Sequence, residues 1–165
     1  MTDFMVAECA IRQLHARFID AVWRKDAGAF AACWAEDAEW KIAGLRMRGR
    51  AEIGATFAKL LGICERVQII PGIPLLEVGQ GQATGRVQVT ELAKMADGSS
   101  AMTLGDYYDR YVENGERWLF QGRHWGLHYR GPVDLSAPLV ECPDYGPPPN
   151  LPGPEEPTFT RRALS

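Results

Sequence analysis

Residues 105–130, GDYYDRYVENGERWLFQGRHWGLHYR, predict a long β-hairpin. Two runs rich in aromatic and β-branched residues flank the dipeptide Asn114-Gly115. Asn-Gly favours a tight hairpin turn because both residues tolerate positive φ. The same runs hold several side chains able to do chemistry: Asp106, Tyr107, Asp109, Arg110, Arg123, His124 and His128. The hairpin is therefore expected to supply both scaffold and site.

The composition indicates one globular domain with an ordinary charge balance. The chain has 165 residues, 46% of them hydrophobic, and a net charge of −3, which provides no basic field for nucleic acid or anionic lipid. Neither a membrane-length apolar run nor a signal-peptide pattern is visible. No two cysteines form a C-x-x-C pair and the histidines lack metal-ligand spacing, so we expect a cytoplasmic protein with reduced thiols and no bound metal.

Upstream of the hairpin, the periodicity changes from helical to strand-like. Apolar residues at helical spacing predict helices over about 6–25, 27–34 and 51–61, with Asp26 as the N-cap of the second. Residues 44–49 are expected to form a loop. Alternation and turn signals predict strands over 38–42, 66–70, 75–78, 83–95, 100–113 and 117–130. Helices followed by antiparallel strands predict an α+β domain over 1–131, with three helices packed on a strongly curved sheet that leaves a conical pocket.

The remaining residues, 132–165, hold most of the chain's prolines and form neither helix nor central strand. One interpretation is a disordered tail. The other is an extended arm that packs on the domain or on a neighbouring subunit, because the segment keeps several apolar side chains: Leu135, Leu139, Val140, Tyr145, Leu151 and Phe159.

Two segments make the sequence recognisable. They are AIRQLHARFIDAVWRKDAGAFAACWAEDAEWKIAG in the helical part and GDYYDRYVENGERWLF in the hairpin. Both resemble the SnoaL-like branch of the nuclear transport factor 2-like superfamily. The resemblance covers about residues 6–130 and implies a cone-shaped fold with an apolar pocket, commonly as dimers or trimers. It does not fix the function, because this fold hosts isomerases, dehydratases, cyclases, dehydrochlorinases and non-catalytic binders.

Scytalone dehydratase and hexachlorocyclohexane dehydrochlorinase, two catalytic members of that group, use an Asp–His dyad. The resemblance, extended without gaps, places Trp23 at the Asp position and Gln68 at the His position. Neither side chain is a base, so the dyad mechanism is not carried over to this chain. Asp20 lies about one helical turn earlier and is expected to be a surface or salt-bridge residue.

Three residues are candidates for catalysis. Glu91 interrupts an apolar alternation and could act as a general base, or could form a structural ion pair with Arg123 or Lys94. Tyr107 could donate a hydrogen bond to an oxyanion, and Arg123 could hold an anionic group, or each could be structural. The expected substrate-binding residues around them are Phe18, Ile19, Val22, Trp23, Trp40, Gln68, Val89 and Trp125.

The face of the sheet on which His124 and His128 lie depends on the strand register of the hairpin. A strict two-residue Asn-Gly turn would pair Tyr107 with Gly122 and place His124 on the cavity side, whereas one β-bulge reverses the parity. We assume the reversal, because Trp125 and Leu127 suit a cavity lining. His124 and His128 are then outer-face residues at a subunit interface, and His15 is a hydrogen-bonded core histidine.

The leading hypothesis is a cofactor-independent lyase or isomerase for a hydrophobic aromatic or polycyclic small molecule. Proton abstraction would be followed by elimination, isomerisation or carbon–carbon cleavage, as in formaldehyde-releasing lyases of aryl-propane diols. The alternative is a non-catalytic small-molecule binder or accessory subunit of the same fold. A homo-oligomer, dimer or trimer, using the outer sheet face and the arm is expected in either case.

Overall fold

The computed structural model describes residues 3–158, which contain two helices before the first strand and a third helix after the second strand. They are α1 (Phe4–Arg24), α2 (Ala27–Ala31) and α3 (Arg50–Gly62). The side chain of Asp3 caps α1 by accepting from the Met5 and Val6 amides, and Asp26 caps α2 as predicted. The apolar face of α1 lies in the core through Ala7, Ile11, Leu14, Phe18, Ala21 and Val22.

Seven strands form one sheet in the order β2-β1-β7-β6-β5-β3, with β4 pairing β5 outside this path. The strands are β1 (Trp34–Ile42), β2 (Leu45–Arg48), β3 (Cys64–Pro71), β4 (Leu75–Val78), β5 (Gln82–Met95), β6 (Ser100–Asn114) and β7 (Arg117–Gly131). The helices cover one face of this curved sheet, which confirms the predicted α+β class.

Three details of the prediction are wrong. The sheet is mixed, because β1 runs parallel to β7. Trp34 is the first residue of β1 instead of the end of a helix, and part of the loop predicted over 44–49 is strand β2. These segments are short, so pairing with the long strand β7 and its neighbours overrides the local pattern.

The hairpin parity is reversed by a β-bulge, as assumed from the sequence. Arg110 pairs with Gly122 but Tyr111 pairs with Phe120, so Gln121 is the extra residue. The turn itself falls at Gly115-Glu116, one residue later than predicted, and Gly115 adopts a φ of 63°. Tyr107 therefore pairs with Trp125 on the inner face, and His124 faces outward.

A second bulge lies near the end of β7. Gly105 pairs with Leu127 but Leu104 pairs with Tyr129, which leaves His128 as the extra residue. Strict alternation would continue the inner face from Leu127 to Tyr129. The bulge instead brings Arg130 to the inner face.

Residues 132–158 lie on the outer face of the sheet, and residues 159–165 with Phe159 are outside the described part. The Val140 amide donates to the His128 carbonyl, and the Tyr145 ring lies against Tyr108 and His124 with centroids 5.1 and 6.1 Å apart. Further on, the buried Lys41 ammonium donates to the Pro154 and Glu156 carbonyls. Residues 132–158 therefore pack on the domain, and a contact of the arm with a neighbouring subunit stays a prediction.

The contact of His124 with this arm predicts acid sensitivity. Burial, and secondarily Lys41, lowers the pKa of His124 from 6.5 to about 4. The folded state therefore takes up this proton later than the unfolded chain, and stability falls as pH drops from about 6.5 to about 4. Between pH 7 and pH 5 we expect a loss of about 2 kcal/mol, seen as a lower urea midpoint.

His124→Gln is the matched variant for this prediction. It should flatten the dependence on pH between 7 and 5, although His15, whose pKa burial also lowers, will keep part of the slope. An identical slope in wild type and variant would contradict the assignment.

Candidate active site

A cavity of about 170 Å³ lies between the helical layer and the inner face of the sheet. Its wall is mostly apolar and aromatic, with Phe57, Leu60 and Leu61 contributed by α3. Seven predicted site residues line it: Phe18, Val22, Trp40, Val89, Glu91, Tyr107 and Trp125. The roles assigned to them remain predictions.

One side of the cavity carries a polar strip, which we define as Glu91, Thr103 and Arg130. Glu91 pairs with Thr103 across β5 and β6, and Thr103 pairs with Arg130 across β6 and β7. Arg130 Nη1 donates to Thr103 Oγ1 over 3.0 Å. The three side chains therefore lie in one row across adjacent strands.

The cations considered as partners of Glu91 are engaged elsewhere. Arg123 binds Asp109, and Lys94 Nζ donates to the Gly98 carbonyl. The cation in the same row as Glu91 is Arg130, which the sequence reasoning missed along with Thr103. Strict alternation could not have found Arg130, because it does not anticipate the bulge at His128 that turns Arg130 inward.

Tyr107 is buried in the same wall, on the strand next to that of Glu91 and four residues beyond Thr103, with its ring 4.7 Å from that of Trp125. Trp125 can lie there because the facing residue is Gly105, where a Cβ would stand 2.5 Å from the indole ring. Burial strongly raises the pKa of Tyr107; Arg123 opposes this rise and the Glu91 carboxylate adds to it. The phenol therefore stays protonated at neutral pH and can donate a hydrogen bond.

Trp40 closes the wall beside Tyr107. Its indole Nε1–H is buried and, within residues 3–158, has no acceptor in hydrogen-bonding geometry. It nevertheless lies near enough to the Tyr107 phenol to favour the ionised form slightly. The Trp40 ring packs on Phe30, which stacks face to face on Phe57 at 3.5 Å.

Arg123 does not reach the cavity. Its side chain is on the inner face, as predicted, but lies behind Tyr107 and is only 3% exposed. Nε and Nη2 bind both oxygens of Asp109, at 2.8 and 3.0 Å. The direct anion-holding role proposed for Arg123 is therefore replaced by a structural pairing, the other interpretation of this residue.

The Asp109 carboxylate continues this network toward α1. Tyr111 Oη donates to Asp109 Oδ2 at 3.0 Å and lies 2.9 Å from His15 Nε2. The hydroxyl gives its proton to Asp109, so His15 Nε2 must donate to the hydroxyl, which fixes the neutral tautomer. Burial keeps the pKa of His15 well below its usual value, and the predicted hydrogen-bonded core histidine is confirmed.

Three other predicted binding residues lie away from this cavity. Trp23 is 46% exposed and packs under the Arg66 guanidinium, because it follows the inward-facing Val22 by one position on α1. Gln68 is exposed, since Val67 and Ile69 take the inner face of β3. Ile19 packs at the edge of the core without lining the cavity.

Helix α1 and strand β3 are apolar toward this cavity. Among the described residues, α1 contributes Phe18 and Val22 to the lining, and β3 contributes Cys64, Val67 and Ile69. Asp20 instead pairs with Arg24 on the surface at 2.8 Å, as expected. The carboxylate, phenol and guanidinium of the lining come from β5, β6 and β7.

Within residues 3–158, no three His, Cys, Asp or Glu side chains are grouped to hold a metal ion. In the same part of the chain, no helix is long and apolar enough to cross a membrane. The chemistry that the arrangement offers consists of a carboxylate, a neutral phenol and a guanidinium–hydroxyl pair around an apolar space.

Comparison with known proteins agrees with the geometry. A model of the SnoaL-like domain matches residues 5–124. The chain belongs to the SnoaL-like domain family. No curated protein matches it significantly by sequence.

Solved SnoaL-like structures of similar shape share little sequence with the chain. A proposed scytalone dehydratase from Novosphingobium aromaticivorans aligns with a TM-score of 0.73 at 17% identity, over 77% of this chain and 87% of that one. Hexachlorocyclohexane dehydrochlorinase LinA-type3 from Novosphingobium barchaimii aligns with a TM-score of 0.70 at 19% identity, over 83% and 96%. At these identities the likeness establishes the shared fold.

Proposed function

We propose that this protein is a cofactor-independent lyase or isomerase that removes a proton from a single-ring aromatic small molecule. The observation that carries the proposal is that Glu91 and the protonated Tyr107 lie on the wall of one apolar cavity. A carboxylate can accept a proton, and a phenol can donate a hydrogen bond to the oxygen on which charge develops.

The proposed step begins when Glu91 takes a proton from a carbon next to a carbonyl, or from a hydroxyl. The electron pair of the broken C–H bond moves into the carbonyl, and the resulting enolate oxygen accepts from Tyr107 Oη–H. The intermediate then expels a leaving group with its electron pair or recovers the proton at another carbon. From a hydroxyl, the same base would leave an alkoxide that collapses to an aldehyde as the adjacent carbon–carbon bond breaks. The electron pair of that bond passes to the neighbouring carbon, which expels a leaving group or takes up a proton.

The size of the cavity narrows the substrate class. An apolar protein cavity of about 150 Å³ accommodates benzene, so a space of about 170 Å³ suits one aromatic ring better than fused rings. Substituents of that ring would meet the polar strip. This favours the aromatic over the polycyclic half of the sequence-based hypothesis.

The proposal is tested by solvent exchange, which detects reversible proton abstraction from carbon, and by product release, which detects elimination and carbon–carbon cleavage. A panel of single-ring aryl ketones, aryl-propane diols and chlorinated rings is incubated with the protein in D₂O. Mass spectrometry follows deuterium uptake, and colorimetric assays follow released aldehyde or chloride. Exchange or release that depends on Glu91 supports the proposal, whereas a panel that binds without any reaction contradicts it.

That second outcome would favour a non-catalytic binding protein. The specific observation behind this candidate is the apolar lining contributed by α1 and β3, where catalytic relatives carry their dyad. The two candidates differ in turnover: the enzyme converts a ligand of the panel at a rate that Glu91→Gln strongly lowers, whereas the binding protein converts none in either form.

Ligand size yields a further prediction. Leu127 is buried in the cavity wall, and Leu127→Ala should enlarge the space by roughly the volume of the lost side chain. We expect wild type to bind acetophenone at least tenfold more tightly than 2-acetonaphthone, and the variant to lose this preference in calorimetric titrations.

Leu119→Ala is the matched control, since Leu119 is equally buried but lies outside the cavity lining. Both variants should lose about 2–3 kcal/mol of stability, while only Leu127→Ala changes the affinity ratio. Equal affinity of wild type for the two ketones would show that cavity size does not limit the ligand.

A further inference from the structure

The core contains a fully buried ion pair that the proposed reaction does not use directly. Asp109 is 0% exposed and Arg123 is 3% exposed, and Tyr111 and His15 extend the pair into the helical layer. A buried pair of this kind gains little or no stability over well-packed apolar residues of similar volume. Its position therefore suggests an electrostatic use.

The guanidinium of Arg123 lies in an aromatic cage. Its Cζ is 3.8 Å from the centroid of the Tyr107 ring, 4.3 Å from that of Phe120 and 4.8 Å from that of Phe18. Tyr107 is the one of these three rings with a proton to donate, and it lines the cavity together with Trp125. Removal of water from this cage leaves the charge poorly screened.

We propose that Arg123 is a positioning residue that acts through Tyr107, its charge beneath the ring strengthening the phenol as a hydrogen-bond donor to a carbonyl oxygen of the substrate. The inference rests on the proposed function, from which it takes the donor role of Tyr107. It adds that the substrate presents a carbonyl group, because only an acceptor that gains negative charge benefits from a donor of this strength.

The partner carboxylate does not cancel the effect. Asp109 binds the Nε and Nη2 edge of the guanidinium and is two residues from Tyr107 along β6, whereas Arg123 Cζ lies 3.8 Å from the centroid of the Tyr107 ring. Burial has the largest effect on the pKa of Tyr107 and raises it. Arg123 has the next largest effect and lowers it, whereas Asp109 raises it by less than Arg123 lowers it. The positive end of the ion pair is therefore the end that Tyr107 senses.

The test uses acetophenone labelled with ¹³C at the carbonyl as the probe and infrared spectroscopy of the bound ketone as the readout. A stronger hydrogen bond lowers the carbonyl stretching frequency. In wild type we expect a frequency below that in an apolar solvent, and Tyr107→Phe should return it to the solvent value. The double variant Asp109→Asn, Arg123→Gln removes both charges, so no lone buried charge is left to unfold the protein.

In that double variant we expect an intermediate frequency and about a fivefold weaker acetophenone affinity, because a charge-assisted donor becomes a neutral one. Arg123→Lys, which keeps the charge, should recover most of the frequency shift. Tyr111→Phe is the structural control: it loosens the network around Asp109 but keeps both charges, so it should lower the melting temperature without moving the frequency.

Three results would overturn the inference. They are a folded double variant with the wild-type frequency, a Tyr111→Phe shift as large as that of the double variant, and a wild-type protein that does not bind acetophenone. Failure of the proposed function gives a different result. If the carbonyl frequency changes in the Arg123 variants but the protein turns over no substrate, the inference about Arg123 stands and the proposed enzymatic activity is wrong.

Discussion

Glu91→Gln lowers the turnover of any substrate found in the exchange panel by about 10²–10⁴-fold, the range that a positioned general base contributes. Gln keeps the size of the side chain and its position in the polar strip beside Thr103, but has no basic oxygen. The affinity for acetophenone should change less than threefold, because the ring binds in the apolar part of the cavity. The measurement is the initial rate of deuterium uptake together with a calorimetric dissociation constant.

Glu65→Gln is the matched control for this loss. Glu65 is an exposed carboxylate on β3, outside the cavity lining, so its variant should exchange deuterium at the wild-type rate. If Glu91→Gln retains more than a tenth of wild-type turnover, the base lies elsewhere. Tyr107→Phe with unchanged turnover would likewise remove the phenol from the mechanism.

Much of the fold was predictable because its determinants are local. Helical spacing located α1 and α3, and Asn-Gly located the turn of the last hairpin to within one residue. The parity reversal in the last hairpin was also predictable, because only one register places Trp125 and Leu127 inward together. The parallel pairing of β1 with β7 is a long-range choice that no local pattern encodes.

The site was predictable only where strand alternation is regular. Val89, Glu91 and Tyr107 follow the period of two and line the cavity as expected. Arg130 was missed, because the second bulge shifts it inward after Leu127. Trp23 and Gln68 were misplaced by a gap-free extension of a family pattern, in which an error of one residue turns a side chain to the opposite face.

Arg123→Met destabilises the protein by about 3–5 kcal/mol, because it leaves the Asp109 carboxylate buried without its cation. Asp109 is 0% exposed and receives both of its short guanidinium contacts from Arg123. For a chain of this size the loss corresponds to a melting temperature lower by about 6–20 °C. The measurement is thermal unfolding followed by circular dichroism at pH 7.

Arg46→Met is the contrasting variant, because Arg46 also contacts two carboxylates, Glu39 at 2.8 Å and Glu155 at 3.1 Å, but does so at the surface. Exposed pairs contribute about 0–1 kcal/mol, so this variant should melt near the wild-type temperature.

In Arg123→Met the remaining Asp109 carboxyl holds its proton to a higher pH in the folded state than in the unfolded chain. The loss of unfolding free energy in Arg123→Met, measured against wild type at the same pH, should therefore shrink as pH falls from 7 toward 5. A penalty that is small at pH 7, or that does not depend on pH, would show that Asp109 is neutral in the wild-type core, and the charge on Arg123 would then be uncompensated beneath Tyr107.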